Sequence, residues 1–224
     1  MTYRNPPLVI DQIYHVFNRG IAQQSIFLTK QDYQRALQVL VFYSYVGVKI
    51  RFSYFKRLSD LQKNDFMDNL RKNGQKQIEL LAFCLMPNHI HFLIKEVRAR
   101  GISTFMSNFQ NSYAKYFNVR TARDGSLFKT MFKAKLIKSG DQLIHVVRYI
   151  HLNPTTAFIL SDIKQLENYP WSSFPTYIGK HNLDIINKDL VLKYFTSTQE
   201  FIKFTEDQIG YQRQLDQLKH LLIE

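Results

Sequence analysis

The sequence is poor in features that mark secreted and membrane proteins. It has a single cysteine, Cys84, among 224 residues. One cysteine cannot form an internal disulfide, and this one lies in an apolar run, so we expect a buried thiol in a reducing compartment. No apolar run approaches the length of a membrane-spanning helix. The first residues lack the apolar segment of a secretory signal, so a cytoplasmic location is expected.

Acidic residues are also scarce. The chain has 18 Asp and Glu against 30 Lys and Arg, which gives a formal net charge of +12 and a pI near 9.7. This balance favours a polyanionic partner, nucleic acid first, although a merely basic protein is the alternative. The cations are dispersed along the chain, which indicates a basic face built by folding rather than a basic tail. A hydrophobic content of 45% excludes a disordered chain.

Two histidines stand out in the stretch 81–94, which reads as an apolar strand, a Met86-Pro87-Asn88 turn and a second strand. Side chains alternate between the two faces of a strand, so His89 and His91 point the same way. Two imidazoles on one face of a strand are suited to bind a metal. The alternative is two half-buried histidines that bond to their neighbours.

Hydrophobic periodicity predicts one large domain with mixed secondary structure. The predicted strands are 8–18, 48–55, the pair within 81–94, and 127–138; the predicted helices are 29–45, 60–70, 103–119, 141–153, 190–204 and 208–222. Residues 53–77 are predicted to form a polar excursion. The core order is the βαββαβ pattern of a ferredoxin-like antiparallel sheet, an α+β fold with helices on one face, plus a catalytic helix and a C-terminal helical extension. We place the domain boundary between residues 1–180 and 181–224.

The helix 141–153 carries a second set of polar residues. His145, Tyr149 and Asn153 are spaced four residues apart and therefore lie on one stripe of the helix. Asn153 can offer an amide oxygen to a hard cation, and Tyr149 lies one turn earlier. Beside His89 and His91, this stripe suits phosphodiester chemistry in which a tyrosine attacks phosphorus and forms a covalent intermediate. His145 is interpreted as structural or as a support to the ligands.

Four stretches of the chain resemble one family of enzymes. They are His89-Ile90-His91 after Met86-Pro87-Asn88, the segment 14–20 (YHVFNRG), the segment 148–154 (RYIHLNP) and the segment 169–173 (YPWSS). Together they are similar to the HUH single-tyrosine transposases, in the branch associated with repetitive extragenic palindromes (an IS200-like transposase domain). The resemblance spans roughly residues 10–175. It departs from the family pattern at 129–131, where Lys-Thr-Met follows Phe128 in place of a Gly-Arg pair.

The resemblance implies a transposase that cleaves and rejoins single-stranded, hairpin-forming DNA. It implies that Tyr149 attacks the DNA and holds its 5′ phosphate, and that His89, His91 and Asn153 bind the divalent ion, Mg²⁺ or Mn²⁺. A ferredoxin-like order places His15 beside the histidine strand, so His15 is a possible supporting residue. His151 is another, because it stands where many members carry Glu.

The DNA partner is expected to contact cations and stacking aromatics. The candidate DNA-binding residues are Arg19, Arg120, Arg123, Lys129, Lys133 and Lys135. Hairpin or palindromic ends are implied by the resemblance, and the protein is expected to act as a monomer or a homodimer. Two other functions remain open at this point. One is a catalytically silent regulator that binds DNA hairpins on the same fold, and the other is a metal-dependent nuclease that uses water.

Overall fold

A four-stranded antiparallel sheet forms the centre of the protein. The computed structural model describes residues 7–208. The strands lie in the order β2-β3-β1-β4, where β1 is Ile13–Arg19, β2 is Ile78–Met86, β3 is His89–Glu96 and β4 is Lys133–Leu136. This is the ferredoxin-like order, so the predicted α+β fold is confirmed, with the first and third core strands side by side at the centre.

Nine α-helices and one short 3-10 helix, Ile21–Gln23, surround the sheet within residues 7–208. The α-helices are α1 Lys30–Phe42, α2 Phe52–Phe55, α3 Asp60–Asn73, α4 Gly101–Thr121, α5 Gly140–Thr156, α6 Ile163–Leu166, α7 Phe174–Tyr177, α8 Asp189–Leu192 and α9 Thr198–Glu206. None of the helices in the described part of the chain is both long and apolar enough to cross a membrane.

The two faces of the sheet are covered differently. On one face, Phe92 of β3 packs against Phe105 and Phe109 of α4, and α1 packs on α4. Because side chains alternate along β3, His89 and His91 project from the opposite face, which α5 covers. We call this second face the histidine face.

Local sequence explains where α1 begins. Thr29 and Asp32 form a capping box, in which the Asp32 carboxylate accepts a hydrogen bond from the Thr29 amide at 2.9 Å. Asp32 is fully buried and also accepts from Arg120 at 2.8 Å, so α1 is tied to the end of α4.

The prediction of a strand over residues 48–55 is wrong. Its second half is helix α2, and Phe52 and Phe55 lie on one side of that helix because they are three residues apart. Both rings pack on Phe42 of α1 with ring centroids 5.0 Å apart. The apolar residues that suggested a strand are therefore aromatic side chains that pack the polar excursion onto α1. The longer helix of this excursion, α3, has no buried residue.

Several element bounds also differ from the predictions. The strand at 127–138 is reduced to β4, and only an isolated bridge joins Phe128 to Gly20. Helix α5 runs past the predicted stop at Asn153-Pro154 to Thr156. The added turn is held because the Asn153 carbonyl accepts from the Ala157 amide at 3.0 Å and the Thr156 hydroxyl at 3.2 Å. Apart from Gln208, the helix predicted over 208–222 lies outside the described residues.

Candidate active site

Side chains from β3 and α5 meet on the histidine face. His89 Nε2 lies 3.4 Å from Asn153 Oδ1. The His91 ring centroid is 5.6 Å from that of Tyr149 and 4.9 Å from that of His89. The structure thus brings together all four residues that the sequence singled out as ligands and nucleophile.

Neighbouring groups fix the orientation of His89 and Asn153. His89 Nδ1 lies 2.6 Å from the side-chain oxygen of Asn88, which can only accept, so Nδ1 carries the proton. In the neutral ring, Nε2 then presents a lone pair. Asn153 donates its amide N–H to the Tyr149 carbonyl at 2.8 Å, which turns Oδ1 toward His89. Two electron-pair donors therefore face each other across 3.4 Å.

His91 is held by a second histidine. Register places Phe17 of β1 opposite His91, and His15 lies two residues earlier on the same face. His15 Nε2 lies 2.8 Å from His91 Nδ1, and both side chains are buried. Because Nδ1 of His91 is engaged in this contact, Nε2 is the atom of His91 that can donate a lone pair to a metal. His15 thus occupies the supporting position that the sequence suggested for it.

Both buried rings are in the form that binds metals. Burial lowers the pKa of His91 well below its ordinary value, and the nearby His89, His15 and Arg19 lower it further. Burial, and then the charge of Lys135, lowers the pKa of His15 to about 4. Neutral imidazoles keep the lone pair that a metal ligand needs.

Two imidazole nitrogens and one amide oxygen form a mixed donor set that could bind a divalent cation. Adjacent ligands of an octahedral Mg²⁺ are about 3 Å apart, since each lies about 2.1 Å from the ion, and the spacing of His89 Nε2 and Asn153 Oδ1 is close to this. No cluster of three or more His, Cys, Asp or Glu side chains suited to a metal occurs within residues 7–208. Asn153 would therefore supply the third ligand, with other positions left for substrate.

The candidate DNA-binding cations separate into two groups. Arg19, Lys133 and Lys135 lie on the histidine face, because Arg19 pairs with His89, and Lys133 and Lys135 pair with Phe17 and His15. All three are exposed and form a positive rim beside the candidate ligands.

The other cations lie apart from this rim or have partners of their own. Lys129 is exposed, and its amide bonds to the carbonyl of Arg19. Arg120 lies in the last turn of α4, on the other side of the sheet, and Arg123 follows that helix. Arg120 pairs with Asp32, and Arg123 donates to the Ser126 carbonyl at 3.0 Å.

Two of the suggested supporting histidines are not brought to the site. His145 is exposed and bonds to Arg148 at 2.6 Å beside Phe204 of α9. His151 is fully buried, with Nε2 2.7 Å from the Ser173 hydroxyl and its ring against Tyr177. Both side chains connect α5 to the C-terminal helices.

One supporting residue was not identified from the sequence. Asn88, which orients His89, was seen only as part of the turn before β3. Its position directly before a candidate ligand histidine was the available signal. Only the rotamers in the folded turn show that its side-chain oxygen reaches His89.

Comparisons with known proteins bear on the family and on the fold. The family model for IS200-like transposases matches residues 45–153. The solved structure of the REP-associated tyrosine transposase bound to a REP hairpin is similar in fold, with a TM-score of 0.54 and 16% identity over 83% of this chain and 90% of that chain.

A proposed transposase from Deinococcus radiodurans R1 aligns with a TM-score of 0.36 and 13% identity, over 67% of this chain and 95% of that one. No curated protein matches the sequence significantly. The region matched by the family model includes β2, β3, α4, β4 and α5 as far as residue 153, and therefore His89, His91, Tyr149 and Asn153. Over residues 45–153, which are just under half of the chain, the sequence is similar to the family of IS200-like transposases.

Proposed function

We propose that the protein cleaves and rejoins single-stranded DNA through a covalent 5′-phosphotyrosine at Tyr149, with a divalent ion held by His89, His91 and Asn153. The observation that carries the proposal is the meeting of these side chains on the histidine face. Two lone-pair donors face each other at 3.4 Å, and the ring of Tyr149 lies beside His91.

The covalent step is a transesterification. Tyr149 Oη attacks phosphorus and forms an O–P bond, while the bond from phosphorus to the 3′ oxygen breaks. The phenolic proton goes to solvent, and the departing 3′ oxygen takes up a proton to become a hydroxyl. The 5′ phosphate stays on Tyr149. Because the bond energy is retained in the phosphotyrosine, attack by a 3′ hydroxyl reverses the step and joins two DNA ends.

The surrounding residues provide the rest of the environment. When bound, Mg²⁺ or Mn²⁺ would polarise the phosphate and neutralise the charge that develops on its oxygens. His15 and Asn88 hold the two imidazoles in their ligating orientation. Arg19 and the β4 lysines supply positive charge at the exposed rim, where the DNA backbone would approach.

DNA with hairpin or palindromic ends is the proposed substrate. The similar solved structure is bound to a REP hairpin, and the net charge of +12 here suits a polyanion. Monomeric or dimeric action and a cytoplasmic location stay predictions from the sequence.

The test is adduct formation on DNA. Labelled hairpin DNA with single-stranded flanks, drawn from the DNA around the gene, is incubated with protein and Mn²⁺, and adducts are separated by denaturing electrophoresis. We expect an adduct with the wild type and with the control variant Tyr54→Phe, which changes an exposed tyrosine of α2. We expect none with Tyr149→Phe. An adduct that persists in Tyr149→Phe would refute the assignment of the nucleophile.

The two alternative functions predict different results for cleavage, adduct formation and DNA binding. A silent hairpin-binding regulator would bind DNA equally well with chelator and without it, and would cut nothing. A nuclease that uses water would release free 5′ phosphates and would stay active in Tyr149→Phe. Neither alternative explains why Tyr149 lies beside two candidate ligands.

A further inference from the structure

A second basic site lies on the side of the sheet away from His89 and Tyr149. A cavity of about 610 Å³ opens between α1, α2 and α4. Its lining includes four cations, Arg35, Arg51, Lys115 and Arg120, together with the rings of Phe52 and Tyr116. We call it the helical-face pocket. None of its cations takes part in the candidate active site.

The positive charge of this pocket is only partly compensated. Asp32 accepts from Arg120 at 2.8 Å and from the Tyr116 hydroxyl at 3.1 Å. Over the described part of the chain, no carboxylate lies within ion-pair distance of Arg35, Arg51 or Lys115. Three cations, two of them exposed, thus share one cavity without a carboxylate partner, and their summed positive potential favours the binding of an anion.

Arg35 is the most constrained of these cations. Its guanidinium carbon lies 4.3 Å from the centroid of the Phe52 ring and 5.0 Å from that of Tyr116. Its Nε is buried and has no hydrogen-bond partner. Ring contacts therefore hold the guanidinium in place, while its buried Nε–H lacks an acceptor. A planar guanidinium held in this way is suited to donate to two phosphate oxygens.

The positive surface continues beyond the pocket. Lys115 also lines a neighbouring hollow with Arg123, at the end of α4. Amide groups of Asn108 and Asn111 lie along the same helix and offer donors and acceptors to a nucleotide. A row of cations and amides along one helix suits an extended chain of phosphates better than a single small anion.

We propose that the helical-face pocket binds the sugar-phosphate backbone of a DNA strand, as a second contact remote from the site where the strand is cut. The identity of the polyanion rests on the proposed function, whereas the anion site itself rests on the unpaired cations. Arg35, Arg51 and Lys115 would contact phosphates.

Direct binding tests this proposal without any cleavage. The exposed pair is changed in Arg51→Gln/Lys115→Gln, and the matched control is Lys164→Gln/Lys203→Gln, which removes the same charge from exposed positions on α6 and α9. Both are made in a Tyr149→Phe protein with chelator present. A fluorescein-labelled DNA hairpin with a single-stranded flank is titrated at several KCl concentrations.

We expect the pocket variant to bind this DNA on the order of tenfold more weakly at low salt, with the slope of log K against log salt reduced by about 2 relative to the control. Equal affinity and slope for the two double variants would overturn the proposal. The proposal would also be overturned if thymidine 5′-monophosphate or inorganic phosphate raised the melting temperature of the wild type while the pocket variant bound DNA as tightly as the control. That result would indicate a small-anion site.

A conservative change of the constrained arginine adds a geometric test. Arg35→Lys keeps the charge but removes the planar fork, so we expect weaker DNA binding in protein that circular dichroism shows to be folded. Wild-type affinity in folded Arg35→Lys protein would contradict the role of the fork. If the wild type forms no adduct with DNA but the pocket variant still binds DNA more weakly than the control, the proposed cleavage reaction is refuted and the pocket proposal stands.

Discussion

The contact between His15 and His91 gives a quantitative prediction about metal binding. If His91 binds the ion through Nε2, its Nδ1–H must donate to His15 Nε2, 2.8 Å away. In His15→Leu the donor has no partner, and the larger apolar side chain limits entry of water to a site where His91 is only 5% exposed. An unsatisfied buried donor costs about 1–3 kcal/mol.

This cost falls on the metal-bound state, because only that state requires the Nδ1–H form of His91. We therefore expect the affinity of His15→Leu for Mn²⁺ to fall by about 10- to 100-fold, the usual effect of removing a partner of a metal-bound histidine. His15→Gln, whose side-chain oxygen can accept the same proton, should lose less. Isothermal titration with Mn²⁺ measures both affinities.

The matched control is His145→Leu, which removes an exposed histidine that bonds to Arg148. It should bind Mn²⁺ like the wild type. If His15→Leu binds Mn²⁺ as tightly as the wild type, or if His145→Leu is equally weakened, then His15 does not support a metal-bound His91 and this reasoning is refuted.

Three further predictions concern the framework around the site. Asp32→Ala removes a fully buried carboxylate that caps α1 and pairs with the partly exposed Arg120, so we expect the free energy of unfolding in urea to fall by about 1–3 kcal/mol, and a change below about 0.5 kcal/mol would contradict it. Burial raises the pKa of the Cys84 thiol, so it should react with a thiol reagent only after unfolding. Burial lowers the pKa of His151 from 6.5 to about 3, so as the pH falls below 6.5 this histidine takes up a proton in the unfolded chain before it does so in the folded protein. For protein kept free of metal by a chelator, we therefore expect the free energy of unfolding to fall by roughly 2 kcal/mol at about pH 5. An imidazole NMR signal of His151 that titrates near 6.5 in the folded protein would contradict this prediction.

The parts of the fold that sequence predicted well are those where local signals agreed. Alternation placed His89 and His91 on one face of β3. The spacing of Tyr149 and Asn153 placed them on one stripe of α5. Each of these follows from the period of a strand or a helix, which the sequence shows directly.

The errors occur where tertiary contacts decide the structure. Residues 48–55 alternate like a strand, but Phe52 and Phe55 become helical because their rings pack on α1. Contacts across the fold were equally hidden. The approach of His15 to His91 depends on strand register, and the burial of His151 depends on α7 and α9.

The central claim is that His89, His91 and Asn153 together bind one divalent ion beside Tyr149. The most direct measurement is an anomalous-difference map from crystals of the protein grown with Mn²⁺. The account predicts one strong peak within about 2.3 Å of His89 Nε2, His91 Nε2 and Asn153 Oδ1. If a saturating Mn²⁺ concentration gives no peak at this position, or if the bound Mn²⁺ does not contact all three atoms, the claim is contradicted.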